Sequence, residues 1–548
     1  MRPVFILIFF NLIFASAFGQ IVFEKRIDIG VSGNQRTDLG LEGVGNSVSQ
    51  TSDGGYFIGG YYLNRFTDDP ILPFVAKLDM YGNMQWSRRD AAMGSGYINS
   101  VLTNSNNVNI AIGIGNSDSA GQMFITMFDQ NGNELTSDLE NIIVTDSSSF
   151  SVNNIFSCAL TSDDGFIIGV NDQNQIAHFL KYAKSGNIEW GISFQTDSLN
   201  SPVIDAVAQL RDGSFLIAAE NSSPDSETTI FTRLSYSGSL LWQKTILSVG
   251  PVTAIIASSD GGFVITGALN DPQGGNDKSF VMKFDSGGGL LWNTVIDAFQ
   301  DEEGFSVAEA VSGDLVIAGI QTSDLIFGGF EAALLERIEK NGTPLSIETM
   351  NLYGESGNSQ IVHTQDDGFI IIGTVSDTII NPYFPSQSIF VLKFNNDLAA
   401  GCNIHSGLFA TQPFHVVFDS LSLSYSPIGV TSSPLPNSKS ASVSYAERDF
   451  CDPLPASDPL DINVTLYPNP LFSDELSVSF DGIIPAGEYK MIVHDLLGQV
   501  MKDEPVVLTG TKEDIPLDIH NYSAGVYYIE LWSTDGAKLL RRLKLMRE

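Results

Sequence analysis

The chain has 548 residues, with 64 acidic against 28 basic side chains and a formal charge of −36. A surface that negative repels phosphate backbones, which excludes nucleic acid as a partner. Hydrophobic residues make up 43%, enough to bury a core, which excludes disorder as the main state.

The first twenty residues read as a targeting segment. Arg2 gives a positive start, Val4 to Phe14 is apolar apart from Asn11, and Ala15-Ser16-Ala17 or Ala17-Phe18-Gly19 offers small residues for cleavage. A secretory signal peptide over residues 1–19 is expected. The apolar run is too short to span a bilayer, and later apolar segments are interrupted by polar residues. The protein is therefore not expected to be integral to a membrane.

Over residues 20–400 one unit recurs seven times. Its first half is an acidic-Gly turn followed by an apolar run, as in TSDGGYFIGG from Thr51, SSDGGFVITG from Ser258 and TQDDGFIIIG from Thr364. Aligned on the turn, Ile58, Ile110, Ile168, Ile217, Ile265, Ile317 and Ile371 share one position. Apolar runs of this length between Gly and Asp predict strands buried on both faces. Asp53, Asp163, Asp212, Asp260 and Asp366 occupy the turn, where Asp-Gly suits a tight hairpin.

The second half of the unit reads FVAKLDMYGNMQW from Phe74 and FVMKFDSGGGLLW from Phe280. Six copies place a basic residue one before the end of the run: Lys77, Lys181, Arg233, Lys283, Arg337 and Lys393. The second copy has Met127 there. This position is expected to face outward, meeting a carboxylate of a neighbouring strand. Trp86, Trp190, Trp242 and Trp292 stand in one phase after a turn glycine. They are expected to be packing anchors between units.

Units of about 52 residues with about four strands have the size of propeller blades. The predicted fold is all-β, a seven-bladed β-propeller over residues 20–400. The seventh copy, FVLKFNNDLAAG from Phe390, lacks the Trp strand. Phe23-Glu24-Lys25-Arg26 has the character of Trp86-Ser87-Arg88-Arg89 and of Trp242-Gln243-Lys244-Thr245. Residues 21–29 are therefore expected to supply the missing outer strand and close the ring.

Between residues 401 and 461 the pattern stops. This Ser/Pro-rich connector is expected to be partly extended, with short strands near Val416-Val417-Phe418 and Val443-Ser444-Tyr445. Cys402 and Cys451 flank it and form the natural disulfide pair of an exported chain. Such a loop restricts the unfolded chain by about 4 kcal/mol in the entropy model. Cys158 is expected to be a buried free thiol.

The last segment, 462–548, reads as a further small β domain. LYPNP from Leu466 leads into alternating LSVSF, YKMIVHDLLGQVM from Tyr489 is strand, turn and strand, and AGVYYIELW from Ala524 precedes a basic ending.

Two resemblances follow. The repeats resemble exported bacterial propeller repeats with a DGG turn and a D-x-x-G-x-x-x-W turn. The C-terminal segment resembles the type A C-terminal sorting domain of type IX secretion substrates. The matching features are Tyr467-Pro468-Asn469-Pro470, Asp495-Leu496-Leu497-Gly498, Gly525-Val526-Tyr527 and the ending with Arg541, Arg542, Lys544 and Arg547. This resemblance implies an Ig-like β-sandwich read by the type IX export machinery. It also implies removal by a sortase-like peptidase near residues 455–462. The mature protein would be anchored at the cell surface or released outside.

No chemistry is written locally. The six histidines form no H-x-H or H-E-x-x-H pair, and neither a G-x-S-x-G elbow, a P-loop nor a D-x-[DN]-x-[DN]-G calcium loop occurs. No catalytic, cofactor or metal residue is assigned, although calcium at the acidic turns is conceivable. The expected function is an exported cell-surface or secreted binding protein for a glycan, peptide or surface partner. The alternative is a polysaccharide-acting hydrolase whose carboxylates assemble from distant loops on the propeller face.

Overall fold

Every regular element described in the computed structural model is a β-strand. It describes residues 21–29, 41–64, 70–90, 95–117, 120–144, 148–150, 152–172, 176–195, 202–220, 228–247, 250–269, 277–297, 301–322, 331–350, 356–377, 386–398, 404–406, 410–412, 417–419, 424–434, 440–442, 445–449, 462–467, 475–482, 487–495, 500–508, 513–520, 522–523, 525–532 and 539–547. The expected signal peptide lies outside these residues.

Strand β1 spans Phe23–Ile29. The first unit gives β2 (Leu41–Gln50), β3 (Tyr56–Asn64), β4 (Leu72–Leu78) and β5 (Met84–Asp90). The second gives β6 (Ser95–Thr103), β7 (Asn109–Ser117), β8 (Ala120–Phe128) and β9 (Glu134–Val144), with β10 (Ser148–Phe150) beside β9. The third gives β11 (Val152–Leu160), β12 (Phe166–Asp172), β13 (Ala177–Tyr182) and β14 (Ile188–Gln195). The fourth gives β15 (Val203–Gln209), β16 (Phe215–Glu220), β17 (Thr228–Leu234) and β18 (Leu240–Leu247). The fifth gives β19 (Val252–Ala257), β20 (Phe263–Leu269), β21 (Lys278–Phe284) and β22 (Leu290–Asp297). The sixth gives β23 (Asp301–Glu309), β24 (Leu315–Thr322), β25 (Glu331–Ile338) and β26 (Pro344–Met350). The seventh gives only β27 (Ser356–His363), β28 (Phe369–Asp377) and β29 (Ser386–Phe394).

Within each unit consecutive strands pair antiparallel, giving a β-propeller-like set of sheets. The two middle strands are buried on both faces, which is why their sequences are apolar runs without alternation; β12 and β13 have no exposed position. Apolar clusters fill the junctions between successive sheets. One joins Phe57 and Val75 to Ile98 and Phe124, and another joins Ile370 and Ile389 to Ile58 and Tyr56.

The repeat register needs one correction. In each turn between a unit's first two strands, the fourth residue is left-handed: Gly54, Asn107, Asp164, Gly213, Gly261, Gly313 and Asp367. Asn107 therefore matches Gly54, and the second copy runs one residue later than its Ile110 suggests. Ala111, paired with Val101, takes the place that Ile58 takes opposite Val48.

All seven first strands carry a β-bulge at one register. It falls between Gly45 and Ser47, Ile98 and Ser100, Ile155 and Ser157, Ile204 and Ala206, Val252 and Ala254, Gly304 and Ser306, and Asn358 and Gln360. An extra residue there bends and twists each first strand the same way.

The connector is more ordered than a partly extended join. It contributes β30 (Ile404–Ser406), β31 (Ala410–Gln412), β32 (Val417–Asp419), β33 (Ser424–Pro434), β34 (Ser440–Ser442) and β35 (Tyr445–Asp449). In order, these pair with the outer strands β26, β22, β18, β14 and β9 together, β5, and finally β1. Each of the first six units thus supplies four strands of its own, as expected, and the connector adds a further strand to its sheet. Most sheets are five-stranded, and β33 merges the second and third into one sheet of ten. β1 pairs with β29 on one edge, Phe23 opposite Lys393, and with β35 on the other.

The C-terminal segment folds into β36 (Ile462–Tyr467), β37 (Glu475–Gly482), β38 (Gly487–Asp495), β39 (Val500–Leu508), β40 (Glu513–Asp518), β41 (Gly525–Trp532) and β42 (Leu539–Arg547). One sheet runs β36-β37-β40 and the other β39-β38-β41-β42. Leu476, Val478 and Leu517 of the first share a core with Met491, Val493, Ile529 and Leu545 of the second.

Candidate functional site

In each unit the first strand runs into the turn that holds Gly54 or its counterpart, and the third runs into a second tight turn led by Asp79, Asp129, Ala183, Ser235, Asp285, Glu339 or Asn395. Both turns therefore lie at one end of the sheet. At this end the basic residues do not face outward. Lys77, Lys181, Lys283 and Lys393 are at most 4% exposed, and each ammonium lies 3.0 Å from the aspartate of its own unit's turn: Asp53, Asp163, Asp260 and Asp366. Arg233 and Arg337 meet Asp212 and Asp314 at 2.6 and 3.3 Å. A strand buried on both faces offers no solvent side, so the cation has to be paired inside. Lys77 completes its shell on Leu78 O at 2.9 Å, as Lys393 does on Phe394 O.

Burial opposes ionisation of Asp53 and Asp366. Hydrogen bonds from Thr51, Gly55 and Lys77, and from Thr364 and Lys393, outweigh it and hold both carboxyls below their ordinary value. Burial also lowers Lys77 and Lys393, against the pull of their aspartates. The two partners' shifts point opposite ways for the pair's stability. The geometry favours the ionised pair, because each ammonium is matched by acceptors. The second unit lacks both partners: Asn106 stands where Asp53 would, and Met127 where Lys77 would.

The same turns are linked from unit to unit. Ser52 N donates to Asn107 Oδ1 (3.0 Å), Ser105 N to Asp164 Oδ1 (3.1 Å), Ser162 N to Gln209 Oε1 (2.6 Å) and Arg211 Nε to Ser258 O (2.8 Å). Ser259 N donates to Glu309 Oε2 (2.6 Å), Val311 N to Asp367 Oδ1 (3.1 Å) and Gln365 N to Gln50 Oε1 (2.8 Å).

Each repeat Trp lies against the turn glycine of the following unit. A Cβ on Gly132 would come within 2.7 Å of Trp86, and one on Gly342 within 2.8 Å of Trp292; Gly238 and Gly288 face Trp190 and Trp242. Only glycine fits beneath the indole, and these glycines are left-handed as well. Trp86 Nε1 donates to Gln130 O and Trp292 Nε1 to Lys340 O. Phe23 occupies the equivalent place on Gly82, with Lys25 Nζ reaching Asn83 Oδ1.

The opposite end, where the other two connections of each unit begin and end, carries polar groups that do not repeat among the described residues. Arg26, Asp28 and Ser388 form one network, His178 and Asp172 lie 3.6 Å apart, and Lys278 meets Asp297 at 3.1 Å. Burial, then Glu42 and then Tyr97, raise Tyr61, whose ring meets that of Tyr97 edge-on. Away from that end, one residue before Arg337 on β25, Glu336 is fully buried, accepts from Ser279 Oγ of the fifth unit and is pushed up to about 8 by burial and by Glu302.

The bulge residues link neighbouring first strands. Asn46 Nδ2 donates to Ile98 O (2.7 Å), Asn99 Nδ2 to Ile155 O (3.1 Å) and Thr253 Oγ1 to Gly304 O. Asp205 holds the same place, but a carboxylate cannot donate. Its Oδ2 is enclosed without a hydrogen-bond partner, and burial and Glu220 raise its pKa.

Of the other residues singled out by sequence, Cys402, Cys451, Pro468, Asn469, Pro470 and Gly498 lie outside the described residues. Tyr467 ends β36, Gly525 begins β41, and Arg541 and Lys544 pair with Leu531 and Tyr528 along β42. Tyr527 is buried and donates to Ser523 O at 2.8 Å. Cys158 is a free cysteine whose thiol burial pushes up to about 12, although the residue keeps part of its surface. Among the described residues no cluster of three or more His, Cys, Asp or Glu side chains could hold a metal ion. No described helix is long and apolar enough to cross a membrane.

Comparison with known proteins locates one function. Residues 465–543 match the secretion system C-terminal sorting domain. The chain carries a type IX sorting domain. It is secreted through the outer membrane by the type IX system, to the cell surface or the extracellular space, and its sorting domain engages that machinery. No curated protein matches the chain. Among solved structures, polysaccharide lyase Uly1 is similar at 9% identity and a TM-score of 0.34, covering 75% of this chain and 89% of that one.

Proposed function

We propose that residues 20–400 form a closed seven-bladed propeller acting as an exported binding protein, followed by the 401–461 connector and a 462–548 Ig-like sorting domain. Closure is supported by the 7-to-1 turn contact of Gln365 with Gln50, by the cluster uniting Ile370 with Ile58, and by Phe23 replacing a Trp on Gly82. The proposed Cys402–Cys451 disulfide would join the two ends of the connector strands, since β30 lies on the sixth sheet and β35 on the seventh.

The observation that carries the binding role is a division of labour between the two ends. Charged groups at the turn end recur in every unit but the second and are consumed there by ion pairs within the unit. The described charged and aromatic groups at the other end do not recur, so the fold does not require them. That end is where a glycan, peptide or surface partner binds, without a catalytic step and without a bound cofactor. Processing by the sortase-like peptidase then leaves the propeller at the surface or free outside.

The test is a binding screen of the secreted protein against surface polysaccharides and peptides, with calcium and with chelator, checking every hit for cleavage products. Binding without products supports the reading. Products would replace it with a polysaccharide hydrolase.

A further inference from the structure

We infer that residues 404–449 are a lock on the ring rather than a linker, and that its last strand sets how readily the ring opens at the β1 seam. The inference rests on the closed-ring reading above. The connector strands meet the sheets in the order sixth, fifth, fourth, third and second, first, seventh. Extended chain of this length reaches on the order of 150 Å, enough to run around a perimeter rather than across a face. It therefore lies on the outer edges, where unpaired N–H and C=O groups would otherwise template pairing with other chains.

The seam is the place where this matters most. Six units close their sheets through hairpins of local sequence. The seventh sheet is assembled from three distant segments in the order β27-β28-β29-β1-β35. β1 has no hairpin partner, and a terminal strand held on one edge frays easily. β35 gives it a second edge: Lys25, Arg26 and Ile27 pair with Val391, Phe390 and Ile389 on one side and with Asp449, Arg448 and Glu447 on the other. Leaving the ring then requires breaking both ladders together. The lock also lies ahead of the matched sorting domain at 465–543, so it stays with the propeller if that domain is removed.

Backbone geometry supplies the test. β35 is the outermost strand, so of two adjacent residues one N–H points to β1 and the other points away. Ala446→Pro and Glu447→Pro in the full chain differ in which is lost, and Glu447→Ala controls for the carboxylate. Hydrogen exchange is read on peptides covering 23–29 and, as an internal reference, 263–269 of β20. The inference predicts that one variant raises exchange over 23–29 at least tenfold, that the other does not, and that β20 is unchanged in both. Unchanged exchange over 23–29 in both variants would overturn it, as would equal loss of protection in β20. A specific protease site inserted at 435–439 and cut after folding guards against misfolded variants, and should raise exchange over 23–29 in the same way. Free exchange over 23–29 in the unaltered protein would overturn the closed ring itself, and this inference with it.

Discussion

The ion pair of the seventh unit makes a demanding prediction because the second unit is its natural double replacement. Lys393 is fully buried, 3.0 Å from Asp366, whose side chain is 31% exposed. Asp366→Asn strands the ammonium in the core. Breaking a buried pair costs about 3–5 kcal/mol. Water at the aspartate end screens part of this, so a loss of about 2–3 kcal/mol is expected. Lys393→Met leaves a carboxylate that can still reach water and accept from Thr364, so about 1 kcal/mol is expected. The double variant recreates the Asn106/Met127 pairing and should fall within about 1 kcal/mol of the parent. The coupling energy is therefore about 2 kcal/mol or more, in favour of changing both together. Urea unfolding followed by tryptophan fluorescence, with the four variants in one cycle, reads it directly. Additive losses, with the double variant as weak as the sum of the singles, would refute the pair as a structural unit.

Other outcomes follow from the same contacts. Gly342→Ala meets Trp292 at 2.8 Å with φ at +92°, and should cost about 3 kcal/mol in urea unfolding. Gly213→Ala has φ at +84° but nothing within 4 Å, and should cost about 1 kcal/mol; equal losses would refute the indole contact. The depressed turn aspartates contribute stability above their ordinary value of 3.8 and lose it as pH falls through their lower folded values, so stability should drop below about pH 4. Glu336 works the other way. Raised from 4.5 to about 8, it favours the folded state at low pH and loses that contribution as pH rises between those values. Glu336→Gln should flatten this decline between about pH 4.5 and 8; an unchanged pH profile would contradict it. Cys158 should resist alkylation in the native protein at pH 8 and react once unfolded, as intact mass would record.

The repeat was legible because buried strands and tight turns leave strong marks: Ile58, Ile168 and Ile371 in phase, Asp-Gly at the turn, Trp86 and Trp292 in register. The orientation of Lys77 was not. Lysine is rarely buried, and a strand covered on both faces has no alternation to show which way a residue points. A signal was present, since the one unit without a basic residue there also lacks the turn aspartate. The one-residue slip of the second unit hid behind Ile110, which is as apolar as the residues it was aligned with; Asn107 as the left-handed turn residue marks the true register. The connector strands were the least legible. Several are three residues long and make their pairs through the backbone, which is indifferent to side-chain pattern. The contact of Glu336 with Ser279 could not be assembled from sequence because the two come from different units.

The measurement that tests the central claim most directly is the calorimetric melt of a variant lacking residues 20–30. β1 is the strand that completes the seventh sheet, seats Phe23 on Gly82 and receives β35. If the ring is closed as proposed, its removal should sharply lower the melting temperature and broaden the transition. A melt indistinguishable from that of the full chain would contradict the closed ring.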